Sequence, residues 1–202
     1  MNIDDFGPFN ALLGSDYLKF LNLGSPETRQ SLEVLKQAIR SSQNIKQELN
    51  QLLDANDWRP HLVAATSLAF IKPSKPVIAK VWERFDKGSW VCPQLAAALS
   101  LYDKDFKRQS IKRLISLQSK PSANKLAHQR RATSSTKIGP PSCKAISSLV
   151  GLLESCDDPE VQMLLQRPET KAGYVSDVDS SSSIASDWRT DYQRLIKEVG
   201  DT

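Results

Sequence analysis

Apolar residues along the chain recur at helical spacing, and alternating runs that would suit a half-buried strand are almost absent. From Phe6 to Leu23, the residues Leu13, Tyr17, Phe20 and Leu21 fall near one face of a short helical entry. Gly24-Ser25-Pro26 then breaks and restarts the chain, with Ser25 placed to cap and Pro26 suited to a first helical turn. Leu32, Leu35 and Ile39 give the helix that follows its apolar stripe, and Ile45, Leu49, Leu52 and Leu53 do the same for the next one. Trp58-Arg59-Pro60 opens an alanine-rich helix through Phe70, and the paired prolines at Pro73 and Pro76 forbid its continuation. Ile78, Val81, Trp82 and Phe85 mark another helix, stopped by Asp86-Lys87-Gly88-Ser89. Trp90-Val91-Cys92-Pro93 opens a second alanine-rich helix, and Asp103 is placed to cap a helix carrying Phe106, Ile111, Leu114 and Ile115.

The pattern then changes. Residues 118–140 are rich in Ser, Thr, Lys and Arg and poor in large apolar groups, which predicts a long exposed basic loop. Helical spacing resumes after Pro141 with Ile146, Leu149, Val150 and Leu153. Asp157-Asp158-Pro159-Glu160 is a helix-start signal, with carboxylates where the helix dipole favours them and Pro in the first turn. Residues 168–186, with Ser180–Ser183 in a row, read as a disordered polar linker. An amphipathic helix over 187–202 follows, with Trp188, Tyr192, Leu195, Ile196 and Val199 on one face, built to dock on its own domain or on a partner. The organisation expected is therefore a helical domain at 1–167, a linker, and a terminal helix.

Two stretches superpose when Pro60 is placed on Pro93. Pro60-His-Leu-Val-Ala-Ala-Thr-Ser-Leu68 and Pro93-Gln-Leu-Ala-Ala-Ala-Leu-Ser-Leu101 share the pattern P-x-L-x-A-A-x-S-L at a period of 33 residues, each preceded closely by a Trp. A fainter copy begins at Pro141, where Ala145, Ser148 and Leu149 hold the matching positions, 48 residues after Pro93. The basic loop would be an insertion before it. Proline pre-sets the first turn, the small residues let neighbouring helices approach, and the leucines fill the seam; one such pair cannot bury its apolar face alone, so neighbours stack. These prolines and A-A-x-S-L cores resemble HEAT/armadillo-type repeats over residues 26–165, most closely at 58–117. The resemblance implies a curved helical scaffold that binds other macromolecules. The fold class expected is all-α, an α-solenoid of stacked helix pairs, with an irregular helical bundle as the alternative.

Charge adds a location to that picture. Residues 58–144 hold 17 basic and 4 acidic side chains, whereas 1–57 hold 5 and 8 and 145–202 hold 5 and 11. A basic middle between acidic ends fits either an acidic partner or self-neutralisation by the acidic tail. Lys104, Arg108 and Lys112 recur at i, i+4 and i+8 and line one helix face, with Lys107 and Arg113 flanking them. Arg130 and Arg131 precede Thr133-Ser134 in a string that matches a basic-directed kinase site. Trp58 and Trp90 sit at equivalent places before their prolines, either as hydrophobic staples or, beside Arg59, as exposed binding anchors.

Candidate chemistry is sparse. The chain has two histidines, His61 and His128, with no metal-ligand spacing, no phosphate-cradling glycine loop and no catalytic constellation. Cys92, Cys143 and Cys156 are an odd set with no staple spacing; Cys92, at a helix start, is the one whose thiol could be activated. No cofactor or metal is expected. The opening Met1-Asn-Ile-Asp-Asp lacks the pattern of a signal peptide, no apolar run is long enough to span a membrane, and a cytoplasmic setting is the expectation. These readings converge on a non-enzymatic helical-repeat scaffold that binds another protein, acidic in character, through the helix at 103–117 and the loop after it. The competing reading is nucleic-acid binding, with the same cations on phosphates.

Overall fold

The computed structural model describes residues 6–118, 143–175, 177 and 180–200. Two short 3-10 helices, Gly7–Leu12 and Asp16–Leu21, lead into α1 (Thr28–Ser41), α2 (Ile45–Asp54), α3 (Trp58–Ser67, continued by a 3-10 turn at Leu68–Phe70), α4 (Lys75–Lys87), α5 (Cys92–Tyr102) and α6 (Phe106–Gln118). Then come α7 (Cys143–Leu153), α8 (Pro159–Leu165), α9 (Pro168–Val175) and α10 (Ser181–Gly200). The protein is all-helical, with no strand among the described residues.

Local chemistry sets the helix starts. The Asn44 side chain accepts from the Gln47 N–H to open α2, and Asp57 accepts from the Arg59 N–H to open α3. Asp158 accepts from the N–H groups of Glu160 and Val161 to open α8. Each such cap is worth about 1 kcal/mol because it satisfies a donor the helix itself leaves free. Prolines occupy the first turn of α4, α5 and α8, where no N–H is needed. Gly88, at φ 84°, stops α4 in a conformation that a residue with a Cβ rarely adopts.

The repeated string marks the most deeply buried helices. Leu62, Ala64, Ala65, Leu95, Ala97 and Ala98 are all buried in the core. The repeat serines satisfy themselves within their own helices: Ser67 Oγ donates to the Val63 carbonyl at 2.7 Å, Ser100 to Ala97 at 2.7 Å and Ser148 to Lys144 at 2.6 Å. A small polar residue is thus buried without an orphaned hydroxyl. α3 packs on α1 and α5, and α5 packs on α7; in a second series α2 packs on α4 and α6 on α8. Side chains extend that second series from α4 to α6, where Trp82 stacks on Phe106 at 5.8 Å and donates its indole N–H to Asp103 at 2.7 Å.

The C-terminal helix binds these elements together. α10 packs chiefly on α7 and α5, and also on the 3-10 turn that continues α3. Trp188 donates to the Phe20 carbonyl at 2.8 Å and Tyr192 to the Ala65 carbonyl at 2.8 Å, so the helix ties the chain's first elements to its middle. A Cβ on Gly151 would lie 2.7 Å from Ser182 Cα, which makes glycine the residue that lets α7 and α10 touch backbone to backbone.

Local structure differs from the sequence reading in two stretches. The entry segment folds as two 3-10 turns, and α1 begins at Thr28, with Ser25 accepting from the Glu27 N–H outside the helix. The polar stretch 168–186 contains helix at Pro168–Val175 and again from Ser181. Its burial runs through small groups, Thr170, Ser181 and Ala185, which composition cannot tell from a linker. The amphipathic terminal helix does dock, and on its own chain. The basic loop, with Arg130, Arg131, His128, Thr133 and Ser134, lies outside the described residues.

Candidate functional site

The starts of α3, α5 and α7 meet along one edge of the molecule, and the side chains there form a row. Tyr17 meets Trp58 edge-on at 5.4 Å, Trp58 meets Trp90 at 4.7 Å with the rings tilted by 47°, and the Lys144 ammonium lies over the Trp90 ring at 4.9 Å. Arg59 closes the other end: its Nε donates to the Tyr17 hydroxyl at 3.0 Å and its Nη1 to Asp57 at 2.8 Å. Both contacts stabilise the guanidinium charge, the Tyr17 hydrogen bond most, and raise its pKa. Exposure is graded along the row: Tyr17 is buried, Trp58 half-buried, and Trp90 is 52% exposed.

The turn that presents Trp90 is held from beneath. His61, buried in α3, bridges Ser89 Oγ and the Ala55 carbonyl, both at 2.9 Å. A carbonyl only accepts, so Nε2 carries the proton and Nδ1 accepts from the Ser89 hydroxyl. Burial pushes the His61 pKa down to about 4, so the ring is neutral at physiological pH. Arg84 donates to the carbonyls of Ala55 at 3.2 Å and Gly88 at 2.7 Å. Ser89 Oγ accepts from the Val91 N–H, and Cys92 Sγ accepts from the Ser89 N–H. Cys92 is fully buried in this role, which removes it from candidacy as an accessible nucleophile.

The cations of α6 divide into two groups. Arg113 makes a two-pronged bond to Asp86, at 2.7 and 2.8 Å, and its guanidinium covers the Trp82 ring at 3.8 Å. Lys107 pairs with Asp158, the cap of α8, and the contact raises the lysine pKa and lowers that of the carboxylate. These two residues tie α6 to its neighbours. Lys104, Arg108 and Lys112 face solvent, with Arg108 paired to Asp105 one turn earlier at 2.9 Å.

Of the residues singled out by sequence, Trp58, Arg59 and Trp90 come together, while Lys104, Arg108 and Lys112 form a separate exposed stripe. Tyr17 and Lys144 complete the edge without a signal of their own. Tyr17 reads as one apolar position of the entry helix, and Lys144 as one cation among many. Among the described residues no group of His, Cys, Asp and Glu could hold a metal, and no helix is long and apolar enough to cross a membrane. No family model, curated protein or solved structure matches the chain.

Proposed function

We propose that the chain is a non-enzymatic helical-repeat scaffold that binds another protein at the Trp90 edge, with the α6 stripe as a secondary, charge-steering surface. The observation that carries this is the half-open Trp90 ring, in tilted contact with Trp58 and with Lys144 over it, at one end of a row that Arg59 closes at the other. Trp, Tyr and Arg are the residues that dominate binding energy at protein interfaces, and a large ring left in water on a rigid turn invites cover. The solenoid reading is supported by the order of packing, α1 to α3 to α5 to α7 in one series and α2 to α4 to α6 to α8 in the other. In such a scaffold the edge where successive helices begin is continuous, and a partner can lie across several units.

The test is partner capture with matched variants. Trp90→Ala and Arg59→Glu should each remove a stoichiometric protein captured from host lysate, while Lys104→Glu should slow its capture and steepen its salt dependence. Retention of every captured protein by Trp90→Ala overturns the reading.

Nucleic-acid binding is the second reading, favoured by one observation: an exposed ring flanked by cations suits a stacked base and its phosphates. It requires a steeply salt-dependent gel shift with single-stranded DNA or RNA that weakens when Lys104, Arg108 and Lys112 become Glu. No shift at low salt eliminates it.

A further inference from the structure

Apart from the Trp90 edge, we propose that the groove beneath α10 is a receptor for an amphipathic helix of another protein. α10 is the chain's own occupant of that groove. It is exchangeable for a helix with small, Trp, Tyr and Leu residues at the spacing of Ala185, Trp188, Tyr192 and Leu195.

The groove is defined by what α10 sets into it. Ser181, Ala185, Trp188, Tyr192 and Leu195 are buried and follow one another at helical spacing, so they form one stripe, while Asp187, Gln193, Arg194 and Lys197 face solvent. Three donors stand along the helix, and each meets the end of another element. Trp188 donates to the Phe20 carbonyl at 2.8 Å, Tyr192 to the Ala65 carbonyl at 2.8 Å and Ser186 to the Gly151 carbonyl at 3.3 Å. Phe20 lies in the last turn of Asp16–Leu21, Ala65 in that of Trp58–Ser67 and Gly151 in that of Cys143–Leu153. In its last turn a helix runs out of its own N–H donors, so the groove presents a row of acceptors to whatever lies in it. An indole N–H and a phenol O–H satisfy such acceptors whichever chain supplies them, and their rings fill the apolar floor.

The groove has walls of its own. α3 packs on α5 and α5 on α7, while α2 packs on α4 and α6 on α8, all without α10. A carbonyl at a helix end is also a group that water satisfies once the covering helix leaves. The seat of α10 carries costs besides. Ser181 Oγ and Arg189 Nε are buried and find no hydrogen-bond partner among the described residues. Ser180, which joins α10 to the chain before it, has φ 53°, in the left-handed region that a residue with a Cβ adopts under strain. Departure of α10 relieves all three.

Exchange of α10 for a copy of itself leaves the contacts in the groove unchanged. What favours the resident helix is its tether, which acts as an effective concentration of about millimolar order for a short link. A substitution that weakens α10 in the chain therefore strengthens the binding of an external helix, and the same substitution in the external helix weakens it. A helix that never leaves the core shows neither effect.

The probe is a fluorescently labelled peptide of residues 180–200, titrated with the full chain and followed by anisotropy after equilibration. The peptide should bind the Tyr192→Phe chain about tenfold more tightly than the unaltered chain, the scale of one buried hydrogen bond. A peptide carrying Tyr192→Phe should bind about tenfold more weakly, and that peptide on the Tyr192→Phe chain should return to the affinity of the unaltered pair. Ser186→Ala in the chain should tighten binding severalfold; it disturbs the core less, and serves if circular dichroism shows the Tyr192→Phe chain unfolded. No saturable binding of the peptide to either variant chain overturns the proposal. So does equal affinity across all pairs, which is adhesion without a seat. If the variant chains dimerise with rising concentration and take no peptide, the occupant is a second copy and the proposed partner helix falls.

Discussion

Two of the rows of three aromatic rings among the described residues differ in what surrounds them. Tyr102, Tyr192 and Trp188 form the inner row, with Tyr192 and Trp188 stacked at 4.5 Å and Tyr102 meeting Tyr192 edge-on at 6.2 Å. Tyr192 and Trp188 are buried and each donates to a backbone carbonyl, Ala65 and Phe20. Burial pushes the Tyr102 hydroxyl up to about 12 and that of Tyr192 well above its ordinary value, so both stay neutral. The outer row, Tyr17, Trp58 and Trp90, has similar chemistry but ends in water, with cations at both ends. A buried ring with its polar atom satisfied contributes to holding the fold; a ring held rigid but left open does little for the fold and is available to a partner.

The comparison breaks most readily at the inner row. Trp188→Ala should cost about 3–5 kcal/mol in urea unfolding, since it leaves a cavity between α10 and the middle helices and orphans the Phe20 carbonyl. A loss below about 1 kcal/mol would mean that α10 is not part of the cooperative core.

The next effect is a pH dependence centred on His61, which supports the outer row from below. Its pKa is about 4 in the folded chain against 6.5 for the ordinary side chain. As pH falls below 6.5 the unfolded chain binds a proton first, so the stabilisation is complete above that pH and is lost as pH falls through the window to about 4. The full loss is roughly 3 kcal/mol, and His61→Asn should flatten the profile measured by denaturant titration at stepped pH. The fluorescence of Trp90 should report the turn loosening over the same window.

Smaller changes sharpen the contrast. Tyr192→Phe keeps the ring but leaves the Ala65 carbonyl unpaired in a buried site, for a loss of about 1–3 kcal/mol in the same unfolding assay. Arg113→Ala should cost about 1 kcal/mol, because a half-buried guanidinium leaves both Asp86 and the face of Trp82, whereas Arg108→Ala on the exposed stripe should be silent in stability. Smallest of all, Trp90→Ala should shift stability by less than about 1 kcal/mol while removing partner binding. A large stability loss there would make the two rows equivalent and the outer one structural.

Much of the helical outline was legible because its signals are local. Asp57, Pro93, Gly88 and the Asp158-Pro159 step act within one turn of themselves, and the structure places helix boundaries at each of them. The candidate site was legible only in part. Trp58 and Trp90 stood out through the repeat, but their neighbour Tyr17 lies in the entry segment, and Lys144 follows a long interruption of the pattern. The basic helix was legible as a charge count and silent on its role. Lys107 and Arg113 find their carboxylates 51 and 27 residues away, and nothing in the spacing of α6 separates them from Lys104 or Lys112.

By itself, then, the order of residues determined that this protein is helical, where the helices marked by Asp57, Pro93, Gly88 and Asp158-Pro159 start or stop, and that two of its stretches share one sequence pattern, because caps, prolines and apolar stripes are properties of a few adjacent residues. Tertiary structure alone decided that Trp188 would be core and Trp90 surface, that a serine-rich stretch would pack against Gly151, and that two of the five cations singled out at α6 would be spent on bonds between helices. Those outcomes depend on which groups distant parts of the chain bring within a few ångströms, and burial, pairing and pKa are all set at that range.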